Sequence, residues 1–183
     1  GTIGRWHVHS LSGMMHRPAA DGAIDYEDFM RLSRRLGGAP DALECFRRAV
    51  FNLLATNRDD HGRNHAFRYD DRSRMWSLAP AFDLTPSVFT TLVGLSWLGQ
   101  MAIPTRFDQL LKLAEIGGVT AKSAREIYDQ VETATLGGWR TAANQAGVPE
   151  SMITYWEKEI NQQTRPLRED VRAGTSLKAR RKP

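Results

Sequence analysis

Cysteine occurs once in this 183-residue chain, at Cys45. One thiol closes no internal disulfide and builds no cysteine-based metal site, a usage that suits the cytoplasm. Cys45 lies in an amphipathic pattern and reads as a small buried apolar residue. No apolar run approaches the roughly 18 residues that a membrane span needs. No charged-then-apolar leader opens the sequence, and neither an internal repeat nor a heptad series occurs. Lysine is missing until Lys112. Charge of one sign is also scarce over most of the chain. The formal net charge is +4, but residues Arg165–Pro183 carry seven basic side chains against Glu169 and Asp170, a net of +5, which leaves the remainder at −1. The basicity belongs to the end of the chain, which argues against the folded body as a nucleic-acid binder. The length suits one domain with a real core, and 41% hydrophobic with 25% charged residues are ordinary values for a globular protein.

What is there is mostly helical periodicity. Trp6, Val8 and Ser10 alternate with His7 and His9 as in a short strand, and Leu11, Met14 and Met15 then take helical spacing. His7, His9 and His16 invite a zinc reading, against which stands ordinary packing, because no partner carboxylate or cysteine lies nearby in sequence. Asp25 is placed to cap a helix through Tyr26, Phe29, Met30, Leu32 and Leu36, which Gly37–Gly38 stops. Asp41 and Glu44 form a capping-box-like pair for the next helix, whose apolar face is Leu43, Phe46, Ala49, Val50, Leu53 and Leu54. His65–Tyr69 and Met75–Leu78 read as a hairpin around a polar turn. Phe89–Ile103 is left between a loop and a strand-containing segment. Further helices follow through Phe107–Ala114, through Ala124–Val131, with a break or kink at Gly137–Gly138, and through Met152–Ile160. From Arg165 onward Pro, Gly, Ser and basic residues predict a loose tail. The expected division is therefore a body over 1–164 and a basic, disordered tail over 165–183.

The stretch Asn57–Ser87 holds the densest set of reactive side chains: Asp59, Asp60, His61, Asn64 and Asp83. Asp59 and Asn64 are five residues apart. That is the Asp-to-Asn spacing of a protein-kinase catalytic loop, in which the Asp takes the proton of the acceptor hydroxyl and the Asn holds magnesium. Asp83, bracketed by Pro80 and Pro86, falls where a kinase places its second metal-binding Asp. Oxygen ligands suit magnesium, which takes one or two carboxylates beside phosphate and water. Arg63 is placed to steady a phosphate. The spacing alone is common, and on it Asp59, Asp60 and Asn64 read equally as turn and cap residues. Asp60 in particular reads as a cap or a solvated acid.

The strings NLLATNRDDHGRNHAF and WSLAPAFDLTPS resemble the C-terminal part of the HipA family of bacterial toxin serine/threonine kinases. Members show a D-x-H-x-[KR]-N loop, an apolar strand and an L-x-P-x-[YF]-D element, here Asp59–Asn64 and Leu78–Asp83. The opening GRWHVHSLSGMMH is similar to the segment that precedes them in one branch, so the likeness spans roughly Gly4 to Leu113. The resemblance implies Asp59 as catalytic base, Asn64 and Asp83 as magnesium ligands, and His61 and Phe82 as residues lining the ATP site. It implies a mainly α fold: the helical C-terminal lobe of a protein-kinase-like architecture, with a small β-hairpin between the catalytic loop and the metal-binding Asp. It also implies a protein substrate of the translation apparatus, with an aminoacyl-tRNA synthetase the candidate, a helix-turn-helix antitoxin, operator DNA reached through that complex, and a role in persistence.

The family's phosphate loop, ATP-contacting lysine and regulatory serine lie in an N-terminal part that has no counterpart here, since Gly37–Gly38 and Gly117–Gly118 are helix stops. The expectation is a fragment of a longer protein, against a degenerate product or one half of a split kinase, and one inactive without the missing nucleotide-binding lobe. Two other readings stay open. One is a catalytically inactive module that binds an antitoxin or DNA. The other is a His/Asn metal-dependent nuclease using His61, Asn64 and His65, with Asp59 or Asp83 on the metal.

Overall fold

The computed structural model describes residues 6–18, 23–87 and 94–180, with side chains as far as residue 174. The described residues are mainly helical with one small sheet. Strand β1 (His7–Ser10) leads into a single turn, α1 (Leu11–Met14), capped by the Ser10 hydroxyl, which accepts from the Gly13 N–H at 3.1 Å. Helix α2 spans Tyr26–Leu54, strands β2 and β3 are Ala66–Asp70 and Met75–Leu78, and the rest is α3 (Phe107–Ile116), α4 (Ala121–Glu132), α5 (Gly138–Gln145) and α6 (Glu150–Arg180). A five-residue π-turn, Thr133–Gly137, carries α4 into α5.

Asp25 caps α2 as the sequence predicts, and its carboxylate does more than that. It accepts from the Glu27 N–H at 2.7 Å, and also from the Ser96 hydroxyl and the Gly99 N–H at 2.6 and 2.8 Å. The cap thus also anchors residues 96–99 of the segment left open by the sequence; residues 88–93 of that segment lie outside the described residues. The predicted stop at Gly37–Gly38 is a sharp kink inside α2. Gly38 takes φ +72°, a left-handed conformation that glycine adopts without a Cβ clash. Asp41 does not form the expected capping pair. Its carboxylate accepts from the Leu78 N–H at 2.6 Å and pins the end of β3 to α2.

The sheet is antiparallel in the order β1-β2-β3, with Ser10 opposite Ala66 and Phe67 opposite Leu78. The predicted hairpin is therefore present, and β1 adds a third strand. Period-2 alternation turns Phe67 and Leu78 onto α2, where they join Phe29, Phe46, Val50 and Leu54 in one core. Helices α3 and α4 cover the other side through Leu110, Leu113, Ile127 and Tyr128. Burying each such side chain contributes roughly 1.5–3 kcal/mol, so the kinked α2 is the post on which both layers hang.

The end of the chain departs from the expected tail. The boundary at 164 falls inside α6, which continues through Pro166. Leu167 and Val171 are 2% and 4% exposed and belong to the core. Asp170 accepts from the Phe107 N–H at 2.8 Å, and Arg168 pairs with Glu132 at 3.2 Å. The physical reason is a stripe: Ile153, Ile160, Thr164, Leu167 and Val171 recur at helical spacing and are all buried. Residues 181–183 lie outside the described residues.

Candidate active site

Helix α2 delivers the loop. Its last turn closes with the Ala55 N–H on the Phe51 carbonyl at 2.7 Å, and Thr56 then reverses the chain at φ +56°. Asn64 shuts the far end, its amide nitrogen donating to the Asp59 carbonyl at 2.8 Å and its N–H to the His61 carbonyl at 2.8 Å. The Asp–x4–Asn spacing therefore forms one hydrogen-bonded turn. Within it the Asp59 carboxylate stays 46% exposed, with His61 Nε2 at 3.9 Å from its Oδ1. The His61 Nδ1 is buried without a hydrogen-bond partner among the described residues.

A second link joins this loop to the segment that carries Asp83. The Ser87 hydroxyl accepts from the Arg58 and Asp59 N–H groups at 2.7 and 3.1 Å, and the Ser87 N–H donates to the Thr56 carbonyl at 3.1 Å. Upstream, the buried Arg48 guanidinium donates to the Ala79 carbonyl at 2.7 Å. Asp83 lies between these anchors at φ +55°, exposed, and its carboxylate makes no hydrogen bond or ion pair among the described residues. A non-glycine residue held in the left-handed region costs free energy, and such positions concentrate at functional sites. Its neighbours Phe82 and Leu84 line one small cavity together with Asn64, Asp60 and Asn57. The structure thus joins Asp59, His61 and Asn64 in one turn and sets Phe82, the neighbour of Asp83, on the same cavity as Asn64.

Asp60 is not the solvated acid or cap that the sequence suggests. It is 3% exposed. The Tyr26 hydroxyl donates to its Oδ2, Asn52 Nδ2 lies 3.0 Å from that hydroxyl and 3.4 Å from the carboxylate, and Asn57 donates to Asn52 Oδ1 at 3.2 Å. A Cβ at position 94 would sit 1.8 Å from Asp60 Oδ1, so only glycine allows the chain to close over the carboxylate. Burial pushes the Asp60 carboxyl up to about 6, against the pull of the Tyr26 hydrogen bond and the Arg58 charge. Burial, and next the Asp60 charge, hold the Tyr26 hydroxyl well above its usual range. The buried Arg58 guanidinium donates to the Asn52 and Leu53 carbonyls and to Gln163 of α6, each at 3.3 Å, and burial lowers its pKa. The loop therefore rests on a buried polar network that fixes its underside while Asp59 faces out. Sequence reading missed Asn52 and Ser87, took Tyr26 for a helix-face residue and took Asp60 for a cap or solvated acid. The one legible signal was the pair of adjacent acids after an asparagine-rich helix end.

His65 is buried, its Nε2 donates to the Asp60 carbonyl at 3.2 Å, and burial lowers its pKa to about 3. Buried and bonded to the loop backbone, His65 does not face solvent, so the nuclease reading loses one of the three residues that could serve it. Among the described residues no group of three or more His, Cys, Asp or Glu side chains is placed to hold a metal ion.

Most of the chain, residues 2–139, matches the family described as HipA-like C-terminal domain. The chain belongs to that family. It is 30% identical over 157 residues to "Putative kinase Y4mE" of Sinorhizobium fredii (strain NBRC 101917 / NGR234), an overlap of 81% of this chain and 31% of that protein. In fold it is similar, with a TM-score of 0.73 at 13% identity, to a chain of the Shewanella oneidensis MR-1 toxin–antitoxin complex of HipA, HipB and operator DNA. That likeness covers 92% of this chain and 45% of the other. This HipA-family chain thus spans about a third of the curated relative and less than half of the solved one. Among its described residues no helix is long and apolar enough to cross a membrane.

Proposed function

We propose that this chain is the catalytic-loop lobe of a kinase-like serine/threonine phosphotransferase that works in the cytoplasm. The observation that carries the reading is the Asp59 turn. Its backbone is held by Asn64, Ser87 and the buried Asp60 network, while its carboxylate alone faces solvent. Phosphoryl transfer asks the protein chiefly for positioning and charge stabilisation, and a rigid loop that presents one free carboxylate supplies the first. Asp59 orients the acceptor hydroxyl and takes its proton at a carboxylate oxygen. Asn64 donates through its nitrogen and so keeps its carbonyl oxygen available, and Asp83 offers an unpaired carboxylate. Two such oxygens fit magnesium held mainly by nucleotide phosphates. When bound, that magnesium with ATP supplies the transferable phosphoryl group and neutralises its charge. His61, with its unpartnered ring nitrogen, and the exposed Phe82 are the residues placed to line the nucleotide site.

The rest of the nucleotide clamp belongs, on this reading, to sequence outside these 183 residues, since the relatives are two to three times longer. A HipB-like helix-turn-helix antitoxin and operator DNA are the proposed partners, because the solved relative is a complex of HipA, HipB and operator DNA. A protein of the translation apparatus is the proposed substrate. The test is transfer from radiolabelled ATP with magnesium to a serine-containing acceptor, using the protein restored to its relatives' length. Asp59→Ala should abolish transfer while leaving the fold intact, and surviving transfer would remove Asp59 as the base. An inactive antitoxin-binding module would show no transfer in either form.

A further inference from the structure

On the side of β1 and α1, beside the catalytic turn, lies an open bowl of about 560 Å³ lined by His9, Ser12, Gly13, His16, Arg17 and Arg63. No carboxylate lines it among the described residues. Its two arginines and two histidines can donate to or neutralise an anion, and the Ser12 hydroxyl adds a fifth donor. Arg17 is paired with Asp28 at 2.8 Å, which fixes that guanidinium at the rim. Arg63 is exposed and has no ion pair or hydrogen bond among the described residues. The bowl is built rather than incidental. The Leu11 and Ser12 N–H groups donate to the His65 and Gly62 carbonyls at 2.7 and 2.9 Å, so α1 is docked directly on the catalytic loop. Gly13 leaves room for the His9 ring to lie across the floor, where a Cβ would meet it at 2.2 Å. Arg63 belongs to both features. It stands next to Asn64, whose side chain closes on the Asp59 carbonyl, and so connects the bowl to the turn that presents the base.

We propose that this bowl binds an acidic side chain of the protein substrate and thereby sets which hydroxyl reaches Asp59. The inference rests on the kinase reading for its purpose, but its binding step does not. Exposed arginine and histidine donors around a concave surface recognise carboxylates by charge-assisted hydrogen bonds. The ligand class is therefore an acidic peptide, with glutamate or aspartate close to the acceptor serine. The near-neutral charge of the body favours a local carboxylate contact over an extended nucleic-acid track.

The test is calorimetric titration of this chain, without nucleotide, with a serine peptide flanked by glutamates and with the same peptide carrying alanines instead. A single-stranded RNA of equal net charge is the third probe. The acidic peptide should bind at least about tenfold more tightly than the neutral one. That difference should vanish in Arg63→Gln and in the double variant His9→Gln/His16→Gln, and persist in Asp83→Asn. Arg63 is exposed, so its variant reports on binding without disturbing the core, and matching circular dichroism spectra check the double variant. Equal binding of the two peptides, acidic-peptide binding that survives both variants, or tighter binding of the RNA would each overturn the proposal. Failure of the kinase reading looks different: the restored protein transfers no phosphate although the acidic peptide still binds at the bowl.

Discussion

Replacing Asp60 with Asn should change how the stability of this chain depends on pH. The folded carboxyl sits at about 6, against an ordinary value of 3.8. The folded state therefore holds this proton more tightly than the unfolded state does. Below the unfolded value both states are protonated and the group is neutral to stability. As pH rises through the window from about 4 to about 6, the folded state must ionise a buried acid, and stability falls. Across the whole window that corresponds to about 3 kcal/mol. This sign is opposite to that of a salt-bridged surface carboxylate. Asn keeps the shape and a hydrogen-bond acceptor for Tyr26 but cannot ionise. The assay is urea unfolding of the parent and of Asp60→Asn at pH 4 and pH 7. Whatever offset the two proteins show at pH 4, where the unfolded carboxyl is already half ionised, the difference should move by about 2 kcal/mol in favour of the variant by pH 7. Parallel stability curves across that range would refute the burial of an ionisable Asp60 beneath the loop.

Other perturbations separate stability from function. Ser87→Ala removes the acceptor shared by the Arg58 and Asp59 N–H groups and should cost about 1–3 kcal/mol in denaturant unfolding. Asp83→Gly relieves a left-handed residue and should not lower the unfolding midpoint, yet it should abolish magnesium-dependent nucleotide binding in the restored protein. Leu167→Ala should cost roughly 2–5 kcal/mol, because Leu167 is a core residue of α6; an unchanged midpoint would return residues beyond 164 to the status of a tail.

Much of the architecture was legible because it depends on short-range periodicity. The Asp25 cap, the Gly38 break, the hairpin and the apolar faces of α2 and α4 each follow from residues within one element. What was not legible depends on long-range partners. Asp41 reads as a helix cap until Leu78, thirty-seven residues on, takes its carboxylate. Asp60 reads as a solvated acid because its partner Tyr26 is thirty-four residues away. Around α6, Pro166 and the run of basic residues read as disorder; the proline costs the helix one N–H and a clash with the preceding turn, and the burial of Leu167 and Val171 outweighs that cost. The chemistry of Asp59, Asn64 and Asp83 was visible as spacing. The Ser87 clamp that joins the two motifs was not, since a lone serine after a proline carries no pattern.

On the proposed function, Asp59, Asn64 and Asp83 form a phosphoryl-transfer site completed by residues outside this chain. Calorimetric titration with ATP and magnesium tests it most directly, on these 183 residues and on the protein restored to its relatives' length. Binding to the short chain should be weak or undetectable, and binding to the restored protein should depend on magnesium and be lost in Asp83→Ala. Nucleotide binding by the restored protein that ignores magnesium and survives Asp83→Ala would contradict it.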